Sequence, residues 1–369
     1  MTAAPFQPTM DFMAVSLDRS ARPQSAWQWA TSALPDDPPE GDAASWLACM
    51  RHAYKSTRRP VQWPVPEALR ASPAVTLRDH FALQLAARPA ENIAERYVYM
   101  FPRQMAELVR LVERRYLPHP LRGRGIELGA GCGVLAAVAA AGPEVEAVIA
   151  LEVCEQVTAR LVPVLAAHVL GDDADKVIPV VGSFDDLRIP DSSLDFAIEN
   201  DSLHHSDDLT VTIGECARVL KPGGYLLCFD RCHDNSVTDA DVDRLLSKVY
   251  GPEFLVAHGY PPEMRLTRRD NGEHEYREFE WRRAGEHAGL VLDVVQPVVG
   301  RITLKKAVKG LCSRLPWSLR RRLYQTDNAT PEHTAAWIRQ CWRGFRPGHR
   351  SQDVLAPKST TILVFRKPL

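Results

Sequence analysis

No run of about 18 consecutive apolar residues occurs in this chain, so no membrane-spanning helix is expected. The first residues, MTAAPFQPTMDF, lack the basic start and apolar stretch of a secretory leader, and the expectation is a cytoplasmic protein. Cysteine is sparse. The eight cysteines are scattered, mostly inside apolar runs, and the closest pair, Cys228 and Cys232, has a spacing that fits no zinc knuckle. That points to reduced thiols rather than a disulfide framework. Neither sign of charge is in excess: 45 Lys and Arg stand against 46 Asp and Glu. With no recognisable nucleic-acid-binding motif, this argues against a nucleic-acid partner. Internal repeats and low-complexity tracts are also missing.

What remains is 369 residues, 45% of them hydrophobic, with ample material for a core. Residues 1–92 read as a mostly helical accessory region. Trp27, Trp29, Trp46 and Trp63 lie there, LPDDPPEGD (34–42) is a loop, and short helices are expected at 43–56 and 76–87. Ile93 to Tyr116 has helical periodicity that Pro102 should bend or break.

From Gly125 onward, short apolar runs alternate with helical segments, which is the pattern of βα units and a parallel sheet. Strands are expected at 125–128, 147–152, 177–181, 194–199, 225–230, 290–298 and 360–365, with helices at 133–141, 153–170 and 208–220. The core is therefore 93–298 plus 359–369, interrupted by insertions at 231–285 and 299–358. The second insertion is basic: twelve Lys or Arg fall between 301 and 350, against Asp327 and Glu332 alone.

The strongest local signal is GIELGAGCGVLAAVAA (125–140). An apolar strand carries Glu127, a glycine-rich turn follows, and an alanine-rich helix begins. Gly129, Gly131 and Gly133 permit a tight turn and close approach of backbone to ligand. The free amides of the helix start lie beyond. A dinucleotide loop would read G-x-G-x-x-G, but Val134 stands at the third glycine position, and Glu127 would repel a pyrophosphate. A carboxylate there suits a cationic ligand. Glu152 ends the next strand about 20 residues on, where an acid accepts from ribose hydroxyls. VVGSFDD (180–186) places Ser183, Phe184 and Asp185 on the turn after the third strand, and LKPGG (220–224) makes a turn into the fifth.

In this order and spacing, ELGAGCG (127–133) and LKPGG (220–224) resemble the class I S-adenosylmethionine-dependent methyltransferases, in the broad small-molecule group. The resemblance covers roughly 93–298 and the last strand. It implies a doubly wound, mostly parallel, Rossmann-like α/β sheet of seven strands, the last antiparallel. It also implies S-adenosylmethionine as cofactor, with S-adenosylhomocysteine as product. Glu127 and Gly129 would lie near the methionine moiety, Glu152 near the ribose, and Phe184 and Asp185 near the adenine. Ala130, Gly131, Gly133, Val153, Ser183 and Asn200 complete the expected cofactor contacts. Ser183 is a departure, since many relatives carry aspartate there.

IENDSLHHSDD (198–208) then falls at the tip of the fourth strand, between cofactor and acceptor. Three readings stand. His204 or His205 closes the cofactor pocket, with Asp207 or Asp208 capping the next helix. Alternatively, His204 or His205 is a general base for an acceptor hydroxyl. In the third reading, Glu199 or Asp201 joins Asp234 and Asn235 in a magnesium site, which is the least favoured. Asp230, Arg231 and His233 leave the fifth strand toward the same pocket, and His233 is a second candidate base.

The segment 250–281, dense in His, Tyr, Arg and Glu, reads as a substrate lid or a charged surface. RLTRRDNGEHEYR within it is similar to methyltransferases of polysaccharide pathways. The expected activity is O-methylation of a small or medium-sized acceptor, a sugar or glycan foremost. A non-catalytic scaffold or an NAD-dependent oxidoreductase is the alternative. The mixed basic and apolar stretch 301–325 suggests peripheral contact with an acidic membrane surface. The acceptor atom and oligomeric state are not legible.

Overall fold

The computed structural model describes residues 43–90, 92–93, 102–233, 235–257, 260–297 and 360–369. The basic stretch 301–325, and all of 299–358, lie outside the described residues, as does Asp234.

Among the described residues, eight strands form one sheet: β1 (Val61–Gln62), β2 (Gly123–Leu128), β3 (Val145–Glu152), β4 (Val177–Val181), β5 (Leu194–Asn200), β6 (Leu220–Asp230), β7 (Val291–Pro297) and β8 (Thr361–Arg366). Their order is β1-β4-β3-β2-β5-β6-β8-β7. All neighbours run parallel except β8, which is antiparallel to β6 and β7. The seven expected strands are present. The eighth is β1, a two-residue edge strand from the N-terminal region, which pairs with the end of β4. Sequence patterning cannot mark so short an element.

Helices cover both faces: α1 (Ala43–Thr57), α2 (Glu67–Arg70), α3 (Pro73–Leu85), α4 (Pro102–Tyr116), α5 (Val134–Ala140), α6 (Glu155–Arg160), α7 (Val162–Leu170), α8 (Leu209–Val219), α9 (Asp239–Leu246), α10 (Pro252–Ala257) and α11 (Glu278–His287). Pro102 is the first residue of α4, where its missing N–H costs nothing. The helix expected at 153–170 is two pieces that meet at Leu161, with Pro163 in the first turn of the second. LKPGG is not a turn before β6 but a bulge inside it. Leu194 pairs with Leu220 and Phe196 with Tyr225, so Lys221 to Gly224 loop out of register.

Because both faces are covered, the central strands are apolar at nearly every position. Val148, Ala150, Phe196, Ile198, Leu227 and Phe229 point into one buried cluster with α4, α5 and α7. Ile126, Leu128, Ile149, Leu151, Ala197 and Leu226 point into the other, with α1, α8 and Trp281 of α11. Val75, Phe81, Ala82 and Leu85 of α3 lie in the first cluster, so this N-terminal helix is part of the core packing. Alternation along the strands puts Glu127, Glu152 and Asn200 toward the first face, and Glu199 and Asp230 toward the second.

Candidate active site

The strand order reverses between β2 and β5, and the carboxyl ends of strands at such a point form a ligand crevice. On the β2 side, Gly129, Gly131 and Gly133 have φ of 62°, 51° and 77°. A Cβ on Gly129 would lie 2.5 Å from Cβ of Ser202 in the β5 turn. Glycine is needed there both for backbone conformation and for space.

Glu127 is buried, and its Oε2 accepts from the Ala136 amide at 2.7 Å, satisfying a free N–H in the first turn of α5. Burial pushes its carboxyl well above the usual range, against the pull of that amide. Glu152, also buried, accepts from Gly131 N at 2.8 Å through Oε2 and from Cys154 N at 3.0 Å through Oε1. The acid at the tip of β3 thus clamps the glycine loop at the tip of β2. Ala130 is fixed by its amide donating to Leu151 O at 2.7 Å, and Val153 packs partly buried against the first cluster.

On the turn after β4, Ser183 Oγ accepts from Asp185 N at 3.2 Å. Asp185 Oδ1 accepts from the Thr212 hydroxyl of α8, and burial raises its carboxyl. Phe184 packs half-buried against the second cluster. At the tip of β5, Oδ1 of Asn200 is buried and takes no hydrogen bond from the described residues. The N-terminal region also reaches this side. Asp79 Oδ1 accepts from Gln156 N at 2.8 Å at the start of α6, and burial, ahead of those backbone bonds, lifts its pKa to about 6.

The β5 and β6 side is built differently. After Asn200, Asp201 takes a positive φ of 54°, and 203–205 form one 3-10 turn. Glu199 is buried beneath that turn, and its Oε2 accepts from Ser202 N at 3.1 Å and Ser202 Oγ at 3.0 Å. Desolvation, and then Asp230, raise its carboxyl well above the usual range. Asp208 caps α8 by accepting from Thr210 N at 2.8 Å.

His204 is 1% exposed. Its Nδ1 lies 2.7 Å from Asp230 Oδ1, its backbone N donates to Asp230 Oδ2 at 2.9 Å, and Arg231 Nη2 lies 2.5 Å from its Nε2. Both ring nitrogens of His205 are also engaged: Nδ1 with Gly272 O at 2.9 Å, and Nε2 with Arg78 of α3 at 3.4 Å. Burial and the neighbouring cationic groups hold its pKa well below the usual value. His233 pairs through Nε2 with Glu275, and its buried Nδ1 has no hydrogen-bond partner among the described residues.

The stretch 271–277 of the insertion lies across this turn. His274 N donates to His204 O at 2.7 Å, and Tyr276 OH donates to Ser206 O at 2.5 Å. Glu273 and Glu275, two residues apart in extended chain, share one side and bring buried carboxylates to Arg231 and Arg268. The i, i+2 spacing in GEHEY was the available signal for this pair. Arg78 and Asp79 sent none, because their partners lie on other elements. Of the magnesium candidates, Asp234 lies outside the described residues, and Asn235 and Glu199 already hold partners in the protein. Asn235 Oδ1 accepts from Phe279 N at 2.8 Å, while Glu199 serves the Ser202 turn.

Residues 126–228 match the family described as methyltransferase domain. This segment is a class I methyltransferase domain of the S-adenosylmethionine-dependent type. Over 107 residues the chain is 33% identical to a malonyl-acyl-carrier-protein O-methyltransferase from Methylococcus capsulatus. That alignment covers 29% of this chain, which spans only 37% of that relative. Among solved structures, it is similar to a candidate sarcosine dimethylglycine methyltransferase from Galdieria sulphuraria, at 17% identity and a TM-score of 0.46 over 79% of this chain and 98% of the other. It is also similar to a geranyl diphosphate C-methyltransferase from Streptomyces coelicolor, at 14% identity and a TM-score of 0.41 over 71% and 74%. The match thus ends inside β6, and the insertion over the site lies beyond the matched residues. No described helix is long and apolar enough to cross a membrane.

Proposed function

We propose that this protein transfers a methyl group from S-adenosylmethionine to the hydroxyl of a small or medium-sized acceptor, a sugar or glycan foremost. The observation that carries the cofactor reading is the Glu152 clamp. A buried acid holds a loop of three positive-φ glycines at the switch point of the sheet. The orphaned Asn200 Oδ1 beside it fits a ligand that brings its own N–H or O–H donors. Glu152, Asn200 and the glycine loop 129–133 would hold the cofactor, with Ser183, Phe184 and Asp185 on its adenine side. When bound, the cofactor supplies an already activated methyl donor, so the protein's work is alignment and, for a hydroxyl acceptor, removal of a proton. The Asp230–His204 pair supports the hydroxyl reading, because a carboxylate on Nδ1 orients an imidazole as a base. The composition of 250–281 supports the sugar or glycan reading.

Calorimetric titration with S-adenosylhomocysteine, with NADH in parallel, tests the assignment. Saturable binding of S-adenosylhomocysteine alone is expected. Binding of NADH alone, or of neither by the folded protein, would overturn it.

A further inference from the structure

The contact between Arg231 and His204 has a consequence for the acceptor. A guanidinium has only donors, so at 2.5 Å Arg231 Nη2 donates and His204 Nε2 accepts. The ring proton is then on Nδ1, donated to Asp230 Oδ1 at 2.7 Å. Tautomer and ring orientation are set from both ends, and the lone pair on Nε2 points at a donor. Arg231 is not committed to this contact alone: Nη1 donates to Glu273 at 2.5 Å, and Nε lies 3.6 Å from Asp201. The Asp201 carboxylate is 55% exposed, so the guanidinium has a partner on the solvent side.

We propose that Arg231 is the positioning residue of an acceptor-hydroxyl subsite: by donating to His204 Nε2 it fixes the ring with that lone pair presented, and an acceptor O–H replaces the guanidinium there as Arg231 shifts to Asp201. This rests on the methyl-transfer reading above. In the subsite the acceptor O–H bond breaks, its proton bonds to Nε2, and the electron pair stays on the acceptor oxygen as the nucleophile. The charge gained by the ring is offset by Asp230.

The charged groups facing His204 are Asp230 from β6, Asp201 and His205 from its own turn, Arg231 from the exit of β6, and Glu273 from the insertion. The neighbouring His274 gives only its backbone N–H, its ring being paired with Asp207. Burial and Arg231 push the imidazole pKa down, Asp230 and Asp201 push it up, and the carboxylates prevail. Arg231 is the cation that limits this rise. Its removal would leave the carboxylates unopposed and raise the imidazole further.

The test is nitrogen NMR of the full chain with labelled histidine, titrated across neutral pH, with His204→Asn to assign the signal. The wild type is expected to show the Nδ1–H tautomer at neutral to alkaline pH. Arg231→Gln should raise the His204 midpoint by about one pH unit or more, and Arg231→Lys should restore most of it. Asp201→Asn, at an exposed position, should lower the midpoint, and it decides the matter should Arg231→Gln not fold. A wild-type Nε2–H tautomer, or midpoints that move with neither Arg231→Gln nor Asp201→Asn, would overturn the proposal. Titration with S-adenosylhomocysteine runs on the same samples. No binding, with the NMR pattern intact, would sink the methyl-transfer reading and leave the Arg231–His204 pair standing.

Discussion

The two walls of the crevice are made by different means. The wall at β2 and β3 is built from backbone: its defining bonds join Glu152 to Gly131, Glu127 to Ala136 and Glu152 to Cys154, across 21, 9 and 2 residues of sequence. The wall at β5 and β6 is built from side chains, linking His204 to Asp230, Arg231 to Glu273 and Arg78 to His205 across 26, 42 and 127 residues. Amides and glycine conformations form a general cradle, whereas a buried ion-pair network costs desolvation and holds only with every partner in place. The difference teaches what each wall depends on: the first on local backbone conformation, the second on side chains brought together from distant parts of the chain.

The comparison can be broken first at Gly129. Gly129→Val meets both the positive φ and the Ser202 contact, and S-adenosylhomocysteine binding should be lost altogether, as calorimetry would show. Binding within a few-fold of wild type would mean that the first wall does not depend on that backbone conformation. The second wall is next. Glu275→Ala removes a fully buried carboxylate from Arg231, Arg268 and His233. Leaving such partners uncompensated should cost about 3–5 kcal/mol in denaturant unfolding. A change below about 1 kcal/mol, the range of surface pairs, would show the network to be solvated.

Glu152→Ala, back on the first wall, should weaken S-adenosylhomocysteine by roughly 10- to 100-fold, the scale of lost charge-assisted hydrogen bonds. Unchanged affinity would remove the clamp from the cofactor site.

The smallest effect is expected at Asp79, whose pKa of about 6 lies above the ordinary 3.8. A carboxyl raised on folding binds its proton more tightly in the native state. Its contribution is therefore present below the ordinary pKa and is lost as pH rises from about 4 through about 6. Asp79→Asn keeps an oxygen for the Gln156 amide and should remove this slope from melting curves while leaving stability at acid pH nearly unchanged. An unaltered slope would assign the pH dependence to another group.

The legibility of the site followed the same division. The glycine loop, Glu127 and Glu152 were readable because a strand, a turn and a helix start are contiguous in sequence. The two histidines were readable as an address at the end of β5, but not as a set of roles. Nothing near His204 in sequence says that Arg231 covers Nε2, or that Arg78 from α3 covers His205. Pro102, expected to bend or break the helical pattern, is where α4 starts, whereas LKPGG lies out of register inside β6, a detail that pairing with the neighbouring strand decides.

By itself, then, the sequence determined the doubly wound class, the strand positions and the cofactor loop, since periodicity and turn chemistry act over a few residues. Only the tertiary structure decided the edge strand β1, the place of α3 in the core and the charge network over β5 and β6. Those depend on which distant side chains are brought within a few ångströms in a space from which water is excluded, and local pattern does not encode that.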